Sequence, residues 1–237
     1  MADQGPVTVG KILKEIVKKH HGSIMFVLDV VLNLVIIVAM VFLIRTFLIS
    51  PFQVYGPSMC DTLNNLNGNC EHGYGEYIIV NKAVYENFLG WQVGLPERGD
   101  IIVFHPPQSD NEFFIKRIIG LPGETVKLKD GKVFIINKDH PEAFELQEPY
   151  LNSVNKDNTH PYSENNTIFE VPAGGYFVMG DNRIASSDSR SCFKESISSG
   201  GCGQPGNSSY LTRANIEGKA WLVLWPLTKL SILQNPA

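Results

Sequence analysis

Thr125-Val126-Lys127-Leu128-Lys129-Asp130-Gly131-Lys132-Val133-Phe134-Ile135-Ile136 is the stretch from which the fold can be read. Apolar and polar side chains alternate before Asp130-Gly131, the run after it is apolar and β-rich, and a period of two gathers Val126 with Leu128 and Val133 with Ile135 on single strand faces. Asp-Gly tolerates the positive φ of a two-residue hairpin turn, so the predicted unit is an antiparallel hairpin, 125–128 against 132–136. Leu121-Pro122-Gly123 marks another turn just upstream.

Outward from this hairpin, β-rich runs bounded by turn residues recur at 76–82, 100–104, 113–119, 175–179 and 219–224. After Pro51 no stretch keeps a long 3.6-residue period; residues 81–89 are expected to form at most a short helix. The predicted class is mostly β, an antiparallel sheet or barrel-like domain. Residues 138–166 are polar and read as an excursion from the core or a small subdomain. The Gly- and Ser-rich residues 198–209 read as an exposed loop. Neither region offers chemistry of its own.

The amino-terminal end has another character. Lys11, Lys14, Lys18 and Lys19 precede a run from Ile24 to Ile49 that is broken only by Asp29, Asn33, Arg45 and Thr46. A membrane-crossing helix needs about 20 apolar residues, which residues 24–44 supply. A carboxylate at mid-membrane costs on the order of 3 kcal/mol, but Asp29 lies near the start of the run and Arg45 near its far end, where a long stem reaches water. The run exceeds the apolar core of a cleaved secretory signal, and Ile49-Ser50-Pro51-Phe52 lacks a small-x-small site. Lysines before the span place the amino terminus in the cytoplasm, and KILKEIVKK suits the surface of an anionic inner leaflet. The expected organisation is a cytoplasmic basic segment at 1–22, a transmembrane helix at 23–49 and an extracytoplasmic domain at 50–237.

All four cysteines, Cys60, Cys70, Cys192 and Cys202, follow the span. An oxidising compartment permits disulfides; three connectivities are open, and pairing 60 with 70 and 192 with 202 is the expectation. Their spacing is not that of a zinc site. The net charge of −4 provides no basic field for nucleic acid.

A hydrolytic site needs a nucleophile, a base and a group to hold an oxyanion. His72, His105, His140 and His160 sit in loop-like settings without a G-x-S-x-G elbow or an H-E-x-x-H motif, and read as surface or structural. Ser58 follows the apolar span behind Gly56-Pro57 and precedes Met59; alone, it is an ordinary turn serine. Lys116 stands in the apolar strand Phe113-Phe114-Ile115-Lys116-Arg117-Ile118-Ile119. Alternation puts Phe114, Lys116 and Ile118 on one face and Ile115, Arg117 and Ile119 on the other. If Lys116 faces the core, desolvation leaves part of it neutral and able to take a proton. Tyr176-Phe177-Val178-Met179-Gly180-Asp181-Asn182-Arg183 leads from a strand into a turn holding Ser186, Asp188, Ser189 and Arg190, where carboxylates and guanidiniums can pair.

Together these segments resemble the type I signal peptidases, Ser-Lys proteases of mostly β fold, over nearly the whole chain. Gly56-Pro57-Ser58-Met59 with Thr62-Leu63 is similar to the family's nucleophile box, and Arg98-Gly99-Asp100-Ile101-Ile102-Val103-Phe104 to its next strand. Lys116-Arg117-Ile118-Ile119-Gly120-Leu121-Pro122-Gly123 resembles the box of the base. Gly180-Asp181-Asn182-Arg183 with Ser186, Asp188, Ser189 and Arg190 resembles the last box. The resemblance implies Ser58 as nucleophile, Lys116 as general base, and the Ser58 backbone N–H as oxyanion donor. Ser186 would bond the lysine amine, and Asp188 and Arg190 would form a supporting ion pair. Gly56, Pro57 and Met59 would lie near the substrate, Gly56 replacing the serine donor of some members. No cofactor or metal is implied. The partners would be exported preproteins with small residues at −1 and −3, and the lipid bilayer, at the cell membrane.

One departure stands out: the family usually has proline before Thr62-Leu63, where this chain has Cys60-Asp61. A Cys60 disulfide would fix the same loop, and Asp61 would place a carboxylate near the nucleophile, altering substrate choice or raising the lysine pKa. Two other readings remain beside the signal peptidase: a non-catalytic membrane-tethered β domain, and a Ser-Lys protease with one dedicated substrate. A self-cleaving repressor is disfavoured by the span and by the lack of a DNA-binding segment.

Overall fold

The structure, a computed structural model, describes residues 9–66, 69–88, 91–163, 166–194, 202 and 207–235. It divides into two units, 1–47 and 48–237.

The first unit is the helix Val9–Leu43, continued by the π-helical turn Ile44–Leu48. Its segment Gly22–Leu48 contains an 18-residue stretch of mean hydropathy 3.0 that buries none of its residues within the protein. At 1.5 Å per residue it is about 40 Å long, enough for a bilayer core of about 30 Å. Unburied Leu, Ile and Val along its whole circumference have no place in water, so the chain is a membrane protein with one such spanning helix among the described residues. The backbone of KILKEIVKK is helical; its side chains, like residues 1–8, lie outside the described residues.

The second unit is mostly antiparallel β. Its main sheet runs in the order Ile49–Tyr55, Tyr74–Asn81, Ile216–Trp225, Ile101–Phe104, Phe114–Gly120, Gly175–Met179, Leu211–Thr212, with Ser231–Ile232 added against Ile216–Trp225. Ile49–Tyr55 is a strand the sequence did not signal, because it begins where the apolar run ends and is interrupted by Pro51. It is the terminal strand of the sheet order, where a residue lacking N–H is tolerated. The expected hairpin forms with Thr125–Lys129 paired to Lys132–Ile136. Asp130 and Gly131 take φ of 52° and 77°, as a two-residue turn demands. Phe144–Glu145 and Ile168–Glu170 complete this second sheet. The helix expected at 81–89 is a single 3-10 turn, Ala83–Tyr85, followed by the strand Asn87–Phe88.

Three apolar clusters fill the unit, and central strands serve two clusters at once. Ile101 and Val103 join one with Val54, Met59 and Leu63, while Ile102 and Phe104 join a second with Ile118 and Val178. Val126, Val133, Phe177 and Ile119 belong to a third. Phe114–Gly120 is therefore covered on both faces, and its last five residues are all buried. A charged side chain in that strand has no solvent face to choose.

Candidate active site

Ser58 sits on a turn that begins where strand Ile49–Tyr55 stops. Gly56 takes φ +81°, a left-handed conformation that strains other residues, and so turns the chain into Pro57. Cys60 N–H then bonds the Pro57 carbonyl at 3.0 Å, and Leu63 N–H the Met59 carbonyl at 2.6 Å. Met59, Cys60 and Leu63 are buried beneath, leaving Ser58 on the lip. A groove of about 600 Å³ opens above it, lined by Gly56, Pro57, Ser58, Lys116 and Ser186 among others.

Lys116 reaches this lip from inside. It is buried, and its Nζ donates to Ser58 Oγ and to the Ile115 carbonyl, both at 2.8 Å. Neither acceptor is charged. Burial pushes the amine pKa down to about 8, against the opposite pull of Asp188 and Asp181 nearby.

The third segment packs against both. At Gly180 an added Cβ would collide with Ser186 Oγ and the Ser58 carbonyl oxygen, so only glycine lets this turn come so close. Asp188 accepts from Arg190 Nε at 2.9 Å and Nη2 at 2.8 Å, and from the Gly180 N–H at 3.1 Å. Burial alone would raise the Asp188 carboxyl, but the Arg190 guanidinium and these bonds hold it below the usual carboxylate range. The pair expected between Asp188 and Arg190 is present.

Ser186 departs from expectation. It lies in the groove wall, buried, but its hydroxyl makes no hydrogen bond of good geometry, and Lys116 is not its partner. It stands near enough to Asp188 to favour the ionised carboxyl. Asn182 has a larger part than the sequence indicated. Its backbone N–H bonds the Ser58 carbonyl at 3.0 Å and its side-chain amide the Pro57 carbonyl at 3.1 Å. This clamp fixes the peptide planes on either side of Ser58, which no local pattern reveals.

Both disulfides form with the expected pairing, Cys60–Cys70 and Cys192–Cys202. Closing a loop of this length contributes about 2–3 kcal/mol each in the chain-entropy view. The Asp61 carboxylate accepts from Asn152 N–H and Nδ2 and from Asn155 Nδ2, at 2.6, 2.8 and 2.9 Å. Its field is not among those acting on Lys116, which corrects the expectation that it would raise the lysine pKa. Burial raises the Asp61 carboxyl itself, with the two asparagines opposing.

The polar region 138–166 also has more to do than expected. Glu148 holds the buried Arg183, Asn155 and Thr159 are buried, and the Tyr162 hydroxyl donates to the Ser186 carbonyl at 3.1 Å. Of the histidines, His72 lines the groove. His105 packs on Phe113, His140 on Phe144, and His160 bonds Asn158. Among the described residues no three His, Cys, Asp or Glu side chains gather to hold a metal ion.

A family model described as signal peptidase, peptidase S26, matches residues 27–225, a range containing all these groups. Signal peptidase I U of Bacillus subtilis (strain 168) is 39% identical over 163 residues, covering 68% of this chain and 75% of its own. Signal peptidase I of Pseudomonas fluorescens is 34% identical over 254 residues, covering 97% of this chain and 81% of its own. A solved signal peptidase I from Enterococcus faecalis is 32% identical and covers 53% of this chain and 96% of its own. Its TM-score of 0.36 adds nothing to the fold derived from the strand pairings.

Proposed function

Because this chain belongs to the type I signal peptidase family, serine endopeptidases that remove signal peptides from exported preproteins, we propose that it works with Ser58 as nucleophile and Lys116 as general base. The observation that carries this reading is the 2.8 Å contact between Lys116 Nζ and Ser58 Oγ, made by a buried amine with no ion-pair partner among the described residues. With a pKa of about 8, roughly a tenth of the amine is neutral at pH 7. In that state its lone pair accepts the Ser58 hydroxyl proton while Oγ attacks the scissile carbonyl. The Ser58 N–H, which donates to no backbone carbonyl among the described residues, is free to hold the oxyanion. Lys116 then protonates the departing amine, and a water deprotonated by the same lysine hydrolyses the acyl-enzyme.

Around this pair, Asp188 and Arg190 hold the turn that carries Ser186 into the groove wall, and Gly56 and Pro57 line the substrate side, whereas Met59, expected there, is buried beneath the turn. The substrates are preproteins with small residues at −1 and −3, presented at the bilayer surface. The lysines before the span support an amino terminus in the cytoplasm and residues 50–237 outside.

The test is cleavage of a preprotein with a small-x-small site by detergent-solubilised enzyme. Wild type is expected to cut at that site and Ser58→Ala and Lys116→Ala to leave it intact. Full activity in either variant would overturn the dyad.

A further inference from the structure

The nucleophile turn is restrained from two opposite partners through residues that take no part in the chemistry just described. Cys60, two residues after Ser58 and fully buried, is joined to Cys70 in the short strand Asn69–Cys70, which pairs with Asn65–Leu66. The Cys70 sulfur also receives the Asn182 side-chain amide at 3.7 Å, the same amide that holds the Pro57 carbonyl. On the other side, Asp61 takes its three hydrogen bonds from Asn152 and Asn155. Asn155 in turn accepts from the Ile184 N–H at 3.4 Å, within the groove wall that carries Ser186. One tether is covalent and the other a set of hydrogen bonds, and they meet at adjacent residues.

We propose that Cys60 and Asp61 are positioning residues for the nucleophile, fixing the Ser58 turn so that its hydroxyl meets Lys116. The inference rests on the Ser-Lys reading above. The tolerance is narrow: a hydroxyl displaced by about 1 Å no longer bonds the amine, and misplacement on that scale costs about 100-fold in rate. The tethers do not line the substrate groove themselves, so their loss falls on kcat and not on KM.

The experiment compares kcat, KM and the pH profile of full-length wild type in detergent with Cys60→Ala/Cys70→Ala and Asp61→Ala, alongside Asp61→Asn and Ser58→Ala. The expected result is a kcat about 10- to 100-fold lower in each of the first two, with KM within about twofold. The ascending limb of kcat against pH should move upward from about 8, because a displaced turn lets water reach Lys116 beside Asp181 and Asp188. Asp61→Asn, which keeps a carbonyl acceptor, should recover part of the loss. Folded variants with wild-type kcat and an unmoved pH limb overturn the proposal, as does a change confined to KM. If the double cysteine variant does not fold, Asp61→Ala and Asp61→Asn decide it. Activity remaining in Ser58→Ala would instead sink the dyad reading, so the two failures are told apart.

Discussion

Lys116 and Arg117 are neighbours in one strand, both cationic and both buried, yet the protein treats them in opposite ways. Arg117 forms a fork with Asp181, Nε to Oδ1 at 2.9 Å and Nη2 to Oδ2 at 2.7 Å, and its guanidinium lies 3.8 Å over the Tyr150 ring. It also donates to the Gly99 carbonyl and to Thr62 Oγ1. Burial would lower its pKa, but Asp181 raises it further, so this cation is permanent. Lys116 has only a hydroxyl and a carbonyl as acceptors, and burial wins. The difference teaches that burial alone does not create a base: withholding the counter-ion does. Arg117 anchors the strand to the turn after Gly175–Met179, through Asp181, while Lys116 is left without such a partner beside Ser58.

The strongest way to break this contrast is Lys116→Met. Catalysis should fall by roughly 1000-fold or more, since the proposed general base is gone, while stability should rise. A buried amine titrating near 8 in the fold and 10.5 when unfolded binds its proton more weakly in the native state. Its penalty on the fold is full below about pH 8 and fades as pH rises to about 10.5. At pH 7 the substitution should therefore stabilise by about 1–3 kcal/mol after its lost hydrogen bonds are counted. Preprotein cleavage and urea unfolding would measure the two halves, and an active or destabilised Met variant contradicts both.

Asp181→Asn attacks the other cation. It strands Arg117 in a buried site, and unfolding experiments should register about 3–5 kcal/mol of lost stability. A cost near zero would mean that Tyr150 and Thr62 suffice to hold the guanidinium.

The contrast also sets the pH profile. Single-turnover cleavage should climb about tenfold for each pH unit below the Lys116 pKa and level off above about 8. A limb near 6.5, the histidine range, would point to His72, which lines the same groove.

The smallest effect is expected at Ser186→Ala. Its hydroxyl has no hydrogen-bond partner of good geometry, so kcat should drop by about tenfold or less. A loss comparable to that of Lys116→Met would show that the hydroxyl bonds the amine during the reaction.

Several elements were legible because their signals are local. Alternation and Asp-Gly fixed the hairpin Thr125–Lys129 to Lys132–Ile136, and a long apolar run with flanking lysines fixed the membrane helix. Strand Ile49–Tyr55 was hidden because Pro51 and the tail of the apolar run mask its pattern. The polar region 138–166 was misjudged for a different reason. Its Asn, Tyr and Glu residues read as an excursion or small subdomain without chemistry of its own, and their partners, Asp61, Ser186 and Arg183, lie far away in sequence.

Ser58, Lys116, Asp188 and Arg190 could be singled out as candidates from the sequence itself, because side-chain type and order along the chain are local facts. Which buried cation keeps its charge was decided only in the tertiary structure. Alternation assigned Lys116 and Arg117 to opposite faces, but both faces of the strand are covered. The choice then depends on where a single carboxylate, Asp181, is delivered by a loop 64 residues away. Long-range delivery of a counter-ion changes a pKa through distance and desolvation, and neither quantity exists until the chain has folded.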